Sequence, residues 1–182
     1  DLTEKQQDAF TATEISALWK DYDNGNLWTG YILLMCYSGM MPGELMGCQK
    51  SQIDLQARTI TGAGLKTKAR EQKPIVLANE IVPVVERLMA GTSGDKLIRI
   101  NKDNFYRVYY DTLLRAGVRR LPPYDCRHTT ATVLADAAIP MPVLKEIMRH
   151  ASGRTTERYI HEKPDKLLAA VDAMPAHSEA PE

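Results

Sequence analysis

Helix start and stop signals recur along this chain. Thr11 to Glu14 forms a capping-box pattern, in which a threonine and a glutamate three residues later bind each other's backbone N–H groups. Gly39 and Gly117 each follow an apolar segment, at the position where glycine commonly ends a helix. Pro42 stands where the first residue of another helix is expected. These signals predict a mainly helical chain.

The same signals give approximate bounds for the elements. Helices are expected after Thr11, at a short segment around Tyr159, and over 27–37, 42–46, 79–89, 101–116, 125–138, 142–149 and 164–174. Short strands are predicted over 58–61 and 74–77, on either side of a basic hairpin loop. The fold class is therefore mainly α with a small antiparallel β-sheet. One domain is expected over 1–175, and the composition of 176–182 predicts a disordered tail.

Charge is unevenly distributed, although the formal net charge is zero. Residues 1–60 carry 4 basic and 8 acidic side chains, residues 61–160 carry 17 and 10, and residues 161–182 carry 2 and 5. Clustered lysines and arginines are typical of surfaces that contact nucleic-acid phosphates. An ordinary solvated surface would have the same composition, so charge alone leaves both interpretations open.

Composition disfavours several classes of protein. Apolar residues make up 44% and charged residues 25% of the chain, as in ordinary soluble domains. No apolar run approaches the roughly 20 residues of a membrane-spanning helix, and the polar first residues do not resemble a signal peptide. Cys36, Cys48 and Cys126 lack metal-binding spacing and are typical of reduced thiols. We therefore expect a cytoplasmic protein without membrane association, metal or other cofactor.

A spaced series of polar residues carries the main functional signal. The string Tyr124-Asp-Cys-Arg-His-Thr129 places Arg127 23 residues before His150, and Tyr159 follows nine residues later. A guanidinium can bind a phosphate through two parallel charge-assisted hydrogen bonds. A tyrosine hydroxyl can attack phosphorus if cations hold the phosphate oxygens and an acid protonates the leaving oxygen. The series is suited to cleaving a phosphodiester without a metal.

Together these strings resemble the catalytic box of the tyrosine recombinases, the phage-integrase family, from about Leu2 to Met174. The resemblance implies the family's catalytic domain, without its N-terminal core-binding domain. It implies DNA cleavage through a 3′-phosphotyrosyl link and rejoining by a free 5′-hydroxyl, in integration or excision of a phage or mobile element. The implied partners are duplex DNA and further copies of the chain. The family acts as a tetramer on DNA and is expected to be monomeric alone, and the segment 164–174 would dock on the neighbouring subunit.

The resemblance also implies a role for each residue. Arg127 and His150 bind the phosphate, and Tyr159 is the nucleophile. Lys66, in the predicted hairpin, protonates the leaving 5′-oxygen; Lys68 would point to the same side of an extended hairpin and remains an alternative. The other basic residues expected to contact DNA are Lys68, Arg70, Lys73 and Arg149.

Two catalytic positions depart from the family. The string Tyr37-Ser-Gly-Met-Met-Pro-Gly-Glu-Leu45 resembles its first box, but Met41 stands at the position of the first catalytic arginine. Loss of a preorganised donor costs about 3–4 kcal/mol of transition-state stabilisation. Tyr124 stands where the family usually has histidine, and with a pKa of about 10 a tyrosine is a poor base at neutral pH. Slow or undetectable cleavage is predicted, and a catalytically impaired, integrase-like DNA-binding protein is the alternative.

Neighbours of the box carry further expectations. Glu44 is kept, and in the family it supports the fold and orients the first arginine. The family usually has glycine just before the His150 position, where this chain has Arg149. His128 directly follows Arg127, and the resemblance implies that it packs inside the domain.

Overall fold

A computed structural model describes residues 8–63, 73–149 and 164–177, and it confirms a mainly helical chain with a small antiparallel sheet. The α-helices are α1 (Ala12–Asp23), α2 (Thr29–Ser38), α3 (Pro42–Gly47), α4 (Val82–Gly91), α5 (Lys102–Ala116), α6 (Tyr124–Asp136), α7 (Met141–Ile147) and α8 (Pro164–Asp172). The strands are β1 (Ile53–Asp54), β2 (Thr59–Ile60) and β3 (Ile75–Val76). Short 3₁₀ helices span Lys50–Gln52 and Asn79–Ile81.

The capping signals operate as predicted. The Thr11 hydroxyl accepts a hydrogen bond from the Glu14 N–H at 3.2 Å, and the Glu14 carboxylate accepts one from the Thr11 N–H at 3.0 Å. The Asn101 side chain accepts from the Asn104 N–H at 2.9 Å at the start of α5. Gly39 and Gly117 end α2 and α5 with φ values of 73°, in the left-handed region that glycine adopts without strain. Local sequence therefore fixes the ends of these helices.

The helices predicted over 79–89 and 125–138 begin at other residues in the structure. The Asn79 amide donates to the Asp172 carboxylate at 3.2 Å instead of capping, and α4 begins three residues later at Val82. Asp125 lies inside the first turn of α6, which begins at Tyr124. At Asn79 a tertiary contact has overridden local propensity. The Asp125 side chain instead lies 2.9 Å from Nδ1 of His128 in the same helix.

The sheet has the order β1-β2-β3, with both pairs antiparallel. Ile60 is paired with Ile53 on one side and with Ile75 on the other. The strands at 58–61 and 74–77 were predicted, whereas β1 was not, because two residues are too few for an alternating pattern. Residues 64–72 of the predicted hairpin loop lie outside the described residues.

The core is built around α2, whose ten residues are all buried. Helices α1, α4 and α6 pack around it. The Thr130 hydroxyl of α6 donates to the Cys36 carbonyl of α2 at 2.6 Å, and this hydrogen bond links the two helices. This packing brings the first turn of α6 to the end of α2.

The last helix packs on its own chain, against α7 and β3. Asp172 accepts hydrogen bonds from Arg58 at 2.8 Å and from the Asn79 N–H at 2.9 Å. In the predicted tail, the His177 ring stacks on Trp19 with ring centroids 4.3 Å apart. Residues 178–182 lie outside the described residues, and docking of the 164–174 segment on a neighbouring subunit stays a prediction.

Within the described ranges, no helix has both the length and the apolar character that crossing a membrane would need. The same part of the chain has no cluster of three His, Cys, Asp or Glu side chains that could hold a metal ion.

The Glu14 carboxylate should make stability depend on pH. Burial acts to raise its pKa, but hydrogen bonds from Arg119 and from the Thr11 N–H, with the charge of Arg119, lower the pKa from 4.5 to about 2. A carboxyl with a lowered folded-state pKa stabilises the fold fully above its unfolded pKa. This contribution should disappear as the pH falls from 4.5 towards 2.

Urea unfolding at several pH values would measure the effect. We expect Glu14→Gln to weaken the pH dependence of the free energy of unfolding in that window. The exposed Glu86, changed in the same way, is the matched control and should leave the dependence unaltered. An equal pH dependence in the Glu14→Gln variant and the unmodified chain would contradict this account.

Candidate active site

Arg127 lies in the first turn of α6 and connects the ends of two other helices. Its side chain is buried, with only 4% of the residue exposed. One terminal nitrogen, Nη1, donates to the Gly39 carbonyl at 2.9 Å, and Nη2 donates to the Met148 carbonyl. The guanidinium is thus held between the residue that ends α2 and the residue that follows α7.

Two threonines fix the rotation of α6 and hence the direction of Arg127. The Thr129 hydroxyl accepts from the Phe10 N–H at 3.0 Å and donates to the Asp125 carbonyl at 2.8 Å. The neighbouring Thr130 hydroxyl donates to α2. These contacts hold the helix on two sides, so Arg127 is directed towards the turn between α2 and α3.

Met41 lies in that turn, two residues after Gly39, and immediately precedes α3. It is half-buried, and its N–H donates to the Glu44 carboxylate at 2.9 Å. The structure therefore brings the first-box turn next to Arg127, as the motif register predicts. The Met41 thioether provides no positive charge there.

Glu44 is the centre of a buried ion pair that the sequence did not predict. Its two carboxylate oxygens accept from Nη1 and Nη2 of Arg149, both at 2.8 Å. Arg149 has no exposed surface and Glu44 is 2% exposed. In the free chain the Arg149 guanidinium is bound inside the protein, and contact of Arg149 with DNA stays a prediction.

Tyr124 and His128 occupy the exposed side of α6. Tyr124 is 45% exposed, and its ring meets the His128 ring edge to face, with centroids 4.9 Å apart. His128 Nδ1 lies 2.9 Å from a carboxylate oxygen of Asp125. The expectation that His128 packs inside the domain is wrong, because one turn of helix places it above Tyr124 on the solvent side. It adds an imidazole at the edge of the site.

Several predicted site residues lie outside the described residues: Lys66, Lys68, Arg70, His150 and Tyr159. Lys73 is described and is half-buried two residues before β3. The convergence of Tyr159, His150 and a hairpin lysine on Arg127 stays a prediction.

Part of the basic segment is bound within the protein. Arg115 forms two hydrogen bonds with Asp21, at 3.0 and 2.9 Å, and Arg119 binds Glu14 at 2.7 Å. The count of positive charges over 61–160 therefore overstates how many can contact a DNA backbone.

A helical domain of this kind, with an arginine held beside a Ser-Gly-Met-Met-Pro-Gly-Glu turn, has clear relatives. The sequence model of the phage integrase family matches residues 8–166. The chain therefore belongs to the phage integrase family.

Similar proteins include tyrosine recombinase XerC of Corynebacterium glutamicum, 30% identical over 148 residues, which cover 75% of this chain and 47% of the relative. A crystal structure of XerA recombinase matches with a TM-score of 0.69 at 23% identity, covering 87% of this chain and 62% of the other. The Tn1549 transposon integrase, in complex with transposon right end DNA, matches with a TM-score of 0.66 at 19% identity, covering 88% and 63%. These two structures support the fold. The chain spans about half the length of the XerC relative.

Proposed function

We propose that this chain is the catalytic domain of a tyrosine recombinase that cleaves and rejoins duplex DNA in site-specific recombination of a phage or mobile element. The observation that carries the proposal is the placement of Arg127. Its guanidinium is fixed by two main-chain carbonyls beside the first-box turn. Anchoring before DNA binds lowers the reorganisation needed when charge develops on a phosphate.

The proposed reaction conserves the energy of the phosphodiester bond. The Tyr159 hydroxyl attacks phosphorus and gives its proton to water, the bond from phosphorus to the 5′-oxygen breaks, and Lys66 or Lys68 protonates that oxygen. Arg127 and His150 bind the non-bridging oxygens. A 5′-hydroxyl of the partner strand then attacks the phosphotyrosyl link and releases Tyr159. The proposed assembly is a tetramer on DNA, and no metal enters the reaction.

Trapping of a covalent adduct tests this proposal. Nicked duplexes, randomised in sequence around the nick, lose a short fragment on cleavage and leave the protein attached to DNA. We expect the unmodified chain to form a slowly accumulating adduct and Tyr159→Phe to form none. Tyr106→Phe, which keeps the ring that packs on Phe105, is the control and should react like the unmodified chain. Equal adduct formation by Tyr159→Phe would exclude Tyr159 as the nucleophile.

A second candidate function is DNA binding with impaired catalysis, and Met41 is the observation that favours it. A thioether cannot bind a phosphate oxygen as a guanidinium does. On this alternative the chain binds duplex DNA, with an affinity that falls steeply as salt rises, because phosphate contacts release counterions. Salt-dependent binding without any adduct would favour the alternative over cleavage.

A further inference from the structure

A second guanidinium lies beside residue 41, although residue 41 is a methionine. One oxygen of Glu44, Oε1, accepts both from the Met41 N–H at 2.9 Å and from Nη2 of Arg149 at 2.8 Å. The Arg149 guanidinium is therefore a direct neighbour of the Met41 backbone. Arg149 reaches this position from beyond the end of α7, and it is 105 residues from Glu44 in the chain.

The backbone at residue 149 is suited to glycine. Its φ is 54°, in the left-handed region, and it comes two residues after the end of α7. Helices commonly end with a glycine in this conformation, and other residues are strained there. The chain nevertheless has an arginine, whose terminal nitrogens both bind Glu44. An arginine is therefore present at a position whose backbone favours glycine, and its side chain makes a specific contact inside the protein.

Both arginines bind residues in or next to the turn between α2 and α3. Arg127 binds the carbonyl of Gly39, two residues before Met41, and that of Met148, the residue before Arg149. Among the described residues, Nε of Arg149 is buried and has no hydrogen-bond partner. A guanidinium has more N–H donors than the two that Glu44 engages. A donor is thus present for a phosphate oxygen close to Arg127.

We propose that Arg149 replaces the arginine that the first box lacks: held by Glu44, it supplies the second cation for the scissile phosphate. This inference rests on the proposed function, since it assigns a residue to the same site. Arg149 has no exposed surface in the free chain, so a phosphate reaches it only when the site opens. Met41 then no longer implies a site with a single arginine.

The first test is whether an arginine at position 41 can take over from the one at position 149. We expect Arg149→Gly to raise the unfolding equilibrium constant at least about 100-fold, because removing one partner leaves a buried charge unpaired. Met41→Arg combined with Arg149→Gly should recover most of this loss, because the guanidinium introduced at position 41 can reach Glu44. Urea unfolding of the full chain measures both. No recovery in the double variant would overturn the proposal.

The second test detects anion binding and is insensitive to a purely structural role. Inorganic phosphate should raise the thermal unfolding midpoint of the unmodified chain and of the double variant, relative to chloride at equal ionic strength. Arg149→Gly should lose this shift, measured against its own midpoint. If that variant does not fold, Arg149→Lys keeps a charge for Glu44 and should show a reduced shift. The exposed Arg107, changed to alanine, is the control and should keep the full shift.

The outcomes separate this inference from the proposed function. A phosphate shift that is absent in the unmodified chain, or undiminished in Arg149→Gly or Arg149→Lys, overturns the role of Arg149. A shift that depends on Arg149, in a chain that forms no DNA adduct, supports the second cation and counts against cleavage. If the unmodified chain also forms the DNA adduct, a phosphate shift that depends on Arg149 supports both the proposed function and the role of Arg149.

Discussion

Replacing Arg127 by lysine is expected to slow covalent adduct formation about 10²- to 10³-fold. The Arg127 guanidinium binds the Gly39 and Met148 carbonyls together, which fixes its plane. A lysine ammonium is a point charge on a flexible chain and does not reproduce the planar pair of nitrogens that binds the two carbonyls. Loss of one preorganised donor in an active site typically has an effect of this size.

Single-turnover adduct formation on nicked duplexes measures the rate, and DNA binding at low salt serves as the comparison. We expect duplex affinity to change little, because one phosphate contact is a small part of a broad electrostatic footprint. The exposed Arg120, which lies over the Tyr110 ring at 3.8 Å, is the matched arginine-to-lysine control and should leave the rate unchanged. A rate for Arg127→Lys equal to that of the unmodified chain would remove Arg127 from the reaction.

Those parts of the fold that depend on local chemistry could be predicted from the sequence. The capping box at Thr11 and the left-handed glycine Gly39 define helix ends through contacts within a few residues. The start of α4 could not be placed in this way, because Asn79 binds Asp172, 93 residues later in the chain. Strand β1 was missed because its pairing with β2 leaves almost no pattern in two residues.

The site shows the same division. The spacing of Arg127 from His150 and Tyr159 predicts that Arg127 binds a phosphate. Its partners could not be predicted, because they are main-chain carbonyls and do not depend on residue type. The sequence predicts that Arg149 contacts DNA, and no local pattern indicates that it binds Glu44. The available signal was a pair of departures from the family pattern, which usually has glycine at position 149 and arginine at position 41. Two departures in one site can compensate for each other.

The buried pair should dominate the stability of the site, and removing one partner should be far worse than removing both. We expect Glu44→Ala to lower the free energy of unfolding by about 3–5 kcal/mol, because Arg149 is left charged and unpaired in the interior. Glu44→Leu with Arg149→Met should lose much less, because apolar side chains of similar size often replace a buried ion pair at little cost. Urea unfolding of the unmodified chain, of Glu44→Ala and of the double variant measures the loss of stability in each variant.

An exposed ion pair supplies the control for this expectation. Arg107 and Asp111 lie one turn apart on α5, 3.9 Å from each other, with 64% and 68% of their side chains exposed. Asp111→Ala should change the free energy of unfolding by less than about 1 kcal/mol, since solvent screens such pairs. If Glu44→Ala is no more destabilising than Asp111→Ala, Glu44 does not form a buried ion pair with Arg149. The expectation for Glu44→Leu with Arg149→Met would then fail. The proposal that Arg149 is a second phosphate-binding cation would fail with it, because it requires Glu44 to hold the guanidinium beside Arg127.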